Sequence, residues 1–380
     1  MATIPSSPAR PVSQAELGAA DRAVAEAGLI SSADKAAAQI GHRTGDAVGL
    51  DTEFVRERTY YPQPGLVQGS DGQSVWLLDA VAMPHIEPLK QLLDDRACTK
   101  ILHSVGEDME VFRILTDTVP DPLFDTQIAA AMLGFPLQLR YEQLVADTLG
   151  AELAGGKARS NWRKRPLSRD LLTYAAQDVI WLPRLHQHLV ESLERNDRLG
   201  WLKEDCARLV EAARSDESPS ALVRVKGAGR LGDQALSVLA SLSDWRDKTA
   251  RKRDLPRSFI VRDEQLVRLA EDWNPEDANH VIDTLPDPVR RRYGQDLLQL
   301  LEHGVQGEFN RPLALIQLTP DQRDWIGKAQ AVVRAMAEEL GIDPALIASK
   351  KELTRIARGE TPDWLNGWRG KLLANQLPAT

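Results

Sequence analysis

Apolar positions change their spacing twice along the chain, and those changes outline its organisation. The opening MATIPSSPARPVSQ carries Pro and Ser but no apolar stripe, so residues 1 to about 14 are expected to lack fixed structure. AELGAADRAVAEAG reads as a surface helix, and LISSADKAAAQI as a short strand, a Ser cap and a helix. AVGLDTEF has the apolar character of a sheet-core strand. LVQGSDGQSVWLLDA is two strand-like runs about the turn residues SDGQ, hence a hairpin. HIEPLKQLLDD is helical, KILHSVG is a buried strand, EDMEVFRIL opens a helix and LFDT is a short strand. TQIAAAMLG, YEQLVADTLGAEL and SRDLLTYAAQDVIWLPRLHQHLVESLERN are helices. Strands first, then strand–helix alternation, predict an α/β domain on a mixed sheet.

After about residue 215 strand signals disappear and amphipathic helices take over. The segment beginning at Leu242, LSDWRDKTARKRDLPRSFIVRDEQLVRLA, parallels AQAVVRAMAEELGIDPALIASKKELTRIA from Ala329. Arg246 to Pro256 and Arg334 to Pro344 have equal spacing, and Leu266, Leu269 and Ala270 answer to Leu353, Ile356 and Ala357. Each copy reads as helix, Pro-marked break and short capped helix, which predicts a duplicated helical module. Gly307 and Pro312 mark the linker between copies.

At 380 residues the chain has room for two or three domains. No apolar run approaches the ~18 residues of a membrane helix, and the N-terminus has no secretory signal. Cys98 and Cys206 have no His or Cys beside them, which argues against a disulfide framework or a zinc site and suits a reducing cytosol. A net charge of −8 excludes a uniformly basic coat for nucleic acid but leaves room for local basic patches.

The chemistry starts at GLDTEFV. On a strand, positions i and i+2 share a face, so Asp51 and Glu53 project side by side. Two close carboxylates repel each other and raise one pKa; a hard divalent cation removes the conflict, and solvated acids at a strand end are the alternative. Asp108 opens a helix just after a strand, where ligand sites collect in α/β sheets, although acids there also answer the helix dipole. Tyr174 and Asp178 are spaced i, i+4 and share one helix face.

D-x-E on a strand, Asp after a second strand and Y-x3-D on a later helix together resemble the DEDD exonuclease superfamily, in its tyrosine subclass. LDTEFVRERTYYPQPGLVQ, ILHSVGEDMEVF, FDTQIAAAMLG and KARSNWRKRPLSRDLLTYAAQDV are similar to the ribonuclease D family. The C-terminal repeat resembles the helicase-and-RNase-D C-terminal (HRDC) domain, present twice. The resemblance implies a ribonuclease H-like α/β exonuclease domain with a mixed sheet at 27–212 and two small all-α HRDC domains at 213–304 and 319–380. A linker at 305–318 joins these two, and a partly disordered extension occupies 1–26.

It further implies metal-dependent 3′-to-5′ hydrolysis of RNA to nucleoside 5′-monophosphates, with tRNA precursors as the expected substrate. Two Mg²⁺ or Mn²⁺ ions would be held by Asp51, Glu53, Asp108 and Asp178, with Tyr174 orienting the attacking water. Phe54 would pack on the terminal base or ribose, with core packing as the alternative. Gln127 would face the bound strand, with polar helix filling as the alternative. Lys157, Arg159, Arg163 and Arg165, in a basic run that ends at Arg169, would grip phosphates, against the alternative of a solvated loop. His103 reads as a satisfied buried histidine and Asp125 as a helix cap. Where related sequences often have Asp-Trp, this chain has Asn161-Trp162, a departure that touches no metal ligand. The first HRDC-like copy carries Arg246, Lys248, Arg251, Lys252, Arg253 and Arg257 and is the expected RNA contact, with Trp245 as a stacking surface or a core residue. A cytoplasmic monomer is expected. A DNA exonuclease and a non-catalytic RNA-binding adaptor are the rival readings.

Overall fold

Nine residues, Ala47–Val55, form β2, the strand on which the sheet is built. The computed structural model describes residues 11–153, 155–215, 220–274, 276–302 and 309–378. Residues 1–10 and 305–308, for which disorder and a linker were expected, lie outside these. Together with β1 (Leu29–Ile30), β3 (Gln63–Ser70), β4 (Val75–Asp79), β5 (Thr99–Leu102) and β6 (Leu123–Asp125), β2 makes a sheet of order β1–β4–β3–β2–β5–β6. β2/β3 and β3/β4 pair antiparallel, while β2/β5, β5/β6 and β1/β4 are parallel. The sheet is therefore mixed, as the strand pattern predicts, and the SDGQ turn closes the β3–β4 hairpin.

Helices α1 (Gln14–Glu26), α2 (Ala33–Gly41), α3 (Glu87–Asp94), α4 (Asp108–Thr116), α5 (Thr126–Met132) and α6 (Tyr141–Leu149) follow the expected spans. α1 is tied in rather than loose. Ser13 and Glu16 form a reciprocal cap, and the Arg169 guanidinium donates to the carbonyls of Val24, Ala25 and Ala27 at its C-terminal end.

The long helix expected from Ser168 to Asn196 is two helices, α7 (Arg169–Ile180) and α8 (Leu182–Arg195), broken at Trp181. Pro183 explains the break, because it has no N–H to donate and its ring would meet the carbonyl of Val179. The break presses on β2. A Cβ at Gly49 would lie 2.6 Å from the Leu182 Cβ and 3.0 Å from the Val179 carbonyl oxygen, so only glycine admits this approach. The end of α7 is thereby seated beside Asp51. The following helix, α9 (Leu199–Arg214), was not anticipated from the sequence.

The C-terminal region comprises α10 (Asp233–Arg253), α11 (Arg257–Ile260), α12 (Asp263–Glu271), α13 (Ala278–Asp283) and α14 (Asp287–Glu302), then α15 (Pro320–Leu340), α16 (Pro344–Ile347), α17 (Lys350–Ala357) and α18 (Trp368–Leu373). α10 and α15 both have 21 residues and both end in a left-handed residue, Asp254 at φ 48° and Gly341 at φ 65°. Each is followed by a four-residue helix. Among the described residues no helix is long and apolar enough to cross a membrane.

The two helical units attach differently. Among the described residues, the core of the first, from Leu222 to Leu301, takes in a single residue of the sheet domain, Tyr60. The second unit, from Trp325 to Leu373, shares one continuous apolar core with the sheet domain. Trp368 is its anchor: it stacks on Trp201 of α9 at 4.4 Å between centroids and donates its indole N–H to Asp205 at 3.0 Å. Arg369 chelates the buried Asp205 at 2.6 and 2.7 Å. Truncating a buried Trp of this kind costs about 3–5 kcal/mol. Trp368→Ala is expected to lower the denaturation midpoint of the sheet domain together with that of the second unit. A change confined to the last helices would contradict the shared core.

Candidate active site

Strand period, a helix start and a helix face bring the acidic residues together. Asp51 and Glu53 leave one face of β2; Asp178 comes from the last turn of α7, seated by the Gly49 approach. One carboxylate oxygen from each of the three lies within 4.8 Å of the others. Asp108, the first residue of α4, lines the same cleft, but its Oδ1 accepts a short hydrogen bond from the Thr52 hydroxyl and it stands outside the trio. The cleft has a volume of about 520 Å³, enough for a nucleotide, and is also lined by Phe54, His103, Glu142, Ala158 and Tyr174.

Burial is the main cause of the electrostatic strain here, and repulsion within the group adds to it. Glu53 is pushed from 4.5 to about 9, by burial and then by Asp178 and Asp108. Asp178 rises to about 8, by burial and then by Glu142, against a hydrogen bond from Tyr174. Asp108 rises to about 7 through burial, opposed by the Thr52 bond. Asp51 is raised well above its ordinary value by burial and by the other three. Such a donor set, oxygen-only, convergent and mutually repelling, fits hard divalent cations. The Tyr174 hydroxyl is driven upward by burial and neighbouring carboxylates, so it stays protonated and donates to Asp178.

Other expected residues divide. Phe54 lines the cleft while packing on the core. Lys157 and Arg159 are exposed on either side of the cleft-lining Ala158. Gln127 points elsewhere: its amide donates to the Leu139 carbonyl at 3.1 Å, so polar helix filling is the reading the structure favours. Arg163 donates to the Pro64 carbonyl at 2.8 Å. Arg165 makes an ion pair with Asp79 and also donates to the carbonyls of Gly65 and Trp162. These two arginines bracket the loop to the sheet, because buried carbonyls and a carboxylate there need donors. His103 is satisfied by Thr126 and the Leu139 carbonyl, and Asp125 caps α5. In the first helical unit Arg246 is buried against Asp263 and the Val261 carbonyl and is withdrawn from solvent, while Trp245, half-buried, packs edge-on to Tyr293 against the unit's core.

Sequence reasoning missed Gln68, Thr52 and Glu142 as partners of the acids. Gln68 lies directly across from Asp51 in the β2–β3 register, is fully buried, and donates to Asp51 Oδ2 at 3.3 Å. The hairpin register could have exposed it; nothing in the sequence marks Glu142.

Comparison with known proteins agrees with this geometry. A 3′-5′ exonuclease family matches residues 29–194, and the HRDC domain family matches residues 235–301. The fold and site thus define a 3′-to-5′ exonuclease. Ribonuclease D of Pseudomonas paraeruginosa is 37% identical over 353 residues, covering 88% of this chain and 93% of that protein. Ribonuclease D of Escherichia coli is 33% identical over 347 residues, covering 87% and 92%. The crystal structure of Escherichia coli RNase D, described as an exoribonuclease involved in structured RNA processing, superposes with a TM-score of 0.83 at 31% identity over 93% of this chain and 97% of that one. The chain belongs to the ribonuclease D family and is a 3′-to-5′ exoribonuclease.

The raised carboxyls give a pH dependence to the metal-free protein. Below about 4.5 both folded and unfolded chains hold these protons; between there and about 9 the folded chain alone holds the Glu53 proton. Stability therefore falls as pH rises through this window, and cations, which displace the protons, restore it. Glu53→Gln is expected to raise the metal-free melting temperature at pH 8 and to blunt the stabilisation by Mg²⁺. Thermal scans from pH 5 to 9 that show no such trend would contradict the site's electrostatics.

Proposed function

We propose that Asp51, Glu53, Asp108 and Asp178 hold two divalent cations, Mg²⁺ or Mn²⁺, and that Tyr174 orients the attacking water in the trimming of structured RNA 3′ ends, tRNA precursors among them. The observation that carries this is the convergence of Asp51, Glu53 and Asp178, with Asp108 in the same cleft. Bound cations would neutralise charge building on the scissile phosphate and acidify the attacking water. The protein's own groups do the rest. Gln68 fixes the rotamer of Asp51 and Thr52 that of Asp108. The protonated Tyr174 hydroxyl holds the water in line with phosphorus by hydrogen bonding. Water adds to phosphorus, the P–O3′ bond breaks and the leaving 3′ oxygen takes a proton, which gives a nucleoside 5′-monophosphate and a chain one nucleotide shorter.

Phe54 supports the terminal base or ribose, and Lys157 and Arg159 meet phosphates at the cleft edge. The Tyr174–Asp178 pair supports placement in the tyrosine subclass. The matched lengths and left-handed stops of α10 and α15 support a second HRDC domain at 319–380, beside the first at 213–304 and an exonuclease domain at 27–212. Two buried free thiols suit action in the cytoplasm, and the proposed unit is the monomer.

Incubation of a 3′-labelled tRNA precursor with Mg²⁺ or Mn²⁺ tests the reading, with a matched DNA oligomer alongside. Wild type is expected to release labelled nucleoside monophosphate, and Asp51→Asn to be about a thousandfold slower, equivalent to about 4 kcal/mol. Equal rates for the two proteins would contradict the role given to Asp51. Faster loss of the DNA would make deoxyribose the preferred sugar.

A further inference from the structure

The loop that leaves the strand of Asp51 and Glu53 is gripped by the first helical unit. Tyr60, 9% exposed, enters that unit's apolar core. Its hydroxyl accepts from Arg257 Nη2 at 2.7 Å and donates to Asp247 Oδ1 at 3.3 Å. The guanidinium groups of Arg257 and Arg251 lie 4.8 and 5.4 Å from its ring centroid. The backbone N–H groups of Tyr60 and Tyr61 both donate to Asp254 Oδ1 at 3.0 Å. Arg251 and Arg257 also pair with Asp247, so this cluster of two arginines and two aspartates is charge-balanced. Two of the arginines expected to contact RNA are thus committed to the sheet domain.

The same loop reaches the helix of Asp108. Arg56 Nη2 donates to the Tyr60 carbonyl at 2.7 Å, and Nη1 pairs with Glu110 at 2.8 Å and Glu107 at 3.6 Å. Glu107 and Glu110 flank Asp108 at the start of α4. Contacts therefore run from the helical unit through Tyr60 and Arg56 to α4, along a loop continuous with β2. β2 is itself irregular at its working end, where the register shifts between Glu53 and Phe54.

We propose that the first helical unit is a positioning element for cleavage: through Asp254 and Tyr60 it fixes the β2–β3 loop and so sets the spacing between the Asp51/Glu53 strand and Asp108. This rests on the cleft being the nuclease centre. A displacement of about 1 Å at a reacting centre costs up to about a hundredfold in rate, so a loop brace of this kind is felt in turnover.

Asp254→Gly separates the brace from the fold. Asp254 sits at φ 48°, ψ 49°, a conformation natural to glycine, so the variant keeps the stop of α10 while losing the carboxylate that holds the loop. The full-length variant is assayed on 3′-labelled RNA with Mn²⁺, and its Mn²⁺ binding is measured separately by calorimetry without RNA. The expected result is kcat lower by about tenfold, KM within about twofold, weaker Mn²⁺ binding and an unchanged melting temperature. Tyr60→Phe, which keeps the ring but loses the hydroxyl bonds, is expected to fall between, and it carries the test should the glycine variant fold poorly. Wild-type kcat and Mn²⁺ affinity in both variants would overturn the proposal. So would a rise in KM alone, which would make the unit an RNA grip. An inactive wild type would instead refute the nuclease reading, while the Mn²⁺ isotherms would still score the brace.

Discussion

Like charges gathered in one cleft are the constraint around which this molecule is organised. One carboxylate oxygen each of Asp51, Glu53 and Asp178 lies within 4.8 Å of the others, Asp108 lines the same cleft, and burial works against every one of their charges. Left alone such a group keeps protons; offered hard cations it exchanges them. The scaffold holds the acids against their own repulsion. Gly49 and the break at Trp181 let α7 press on β2, the β2–β3 register puts Gln68 against Asp51, and Thr52 ties down Asp108.

Cationic side chains follow the same economy. Several that look, in sequence, like a phosphate track are used to join parts of the protein: Arg165 to Asp79, Arg169 to the end of α1, Arg246 to Asp263, and Arg257 to Asp247 and Tyr60. Those left exposed near the cleft are few, with Lys157 and Arg159 beside Ala158 the clearest. The two helical units also differ in kind. One is fused into the main core through Trp368, and the other touches the sheet domain through a polar, charge-balanced cluster around one tyrosine.

Most of the site's acids were legible because their placement depends on local periodicity. Two residues apart on a strand and four apart on a helix are properties of the backbone, so Asp51/Glu53 and Tyr174/Asp178 could be read directly. Strand spans and the repeated helical unit were legible for the same reason. What escaped was tertiary. Whether an arginine meets RNA or a buried side chain depends on partners far off in the chain, 86 residues for Arg165 with Asp79 and 197 for Arg257 with Tyr60. Asp108 was placed correctly in the cleft, but its capture by Thr52 depends on how α4 is set against β2. The division of α7 from α8 was signalled by Pro183, yet the apolar pattern ran on through it and masked the stop.

The central claim is that these acids converge to hold divalent cations. Anomalous diffraction from crystals soaked in Mn²⁺ tests it most directly. The account predicts a peak at coordination distance, about 2.2 Å, from carboxylate oxygens of Asp51, Glu53 and Asp178, lost in Asp178→Asn. A fully soaked crystal with manganese elsewhere and none among these three carboxylates would contradict it.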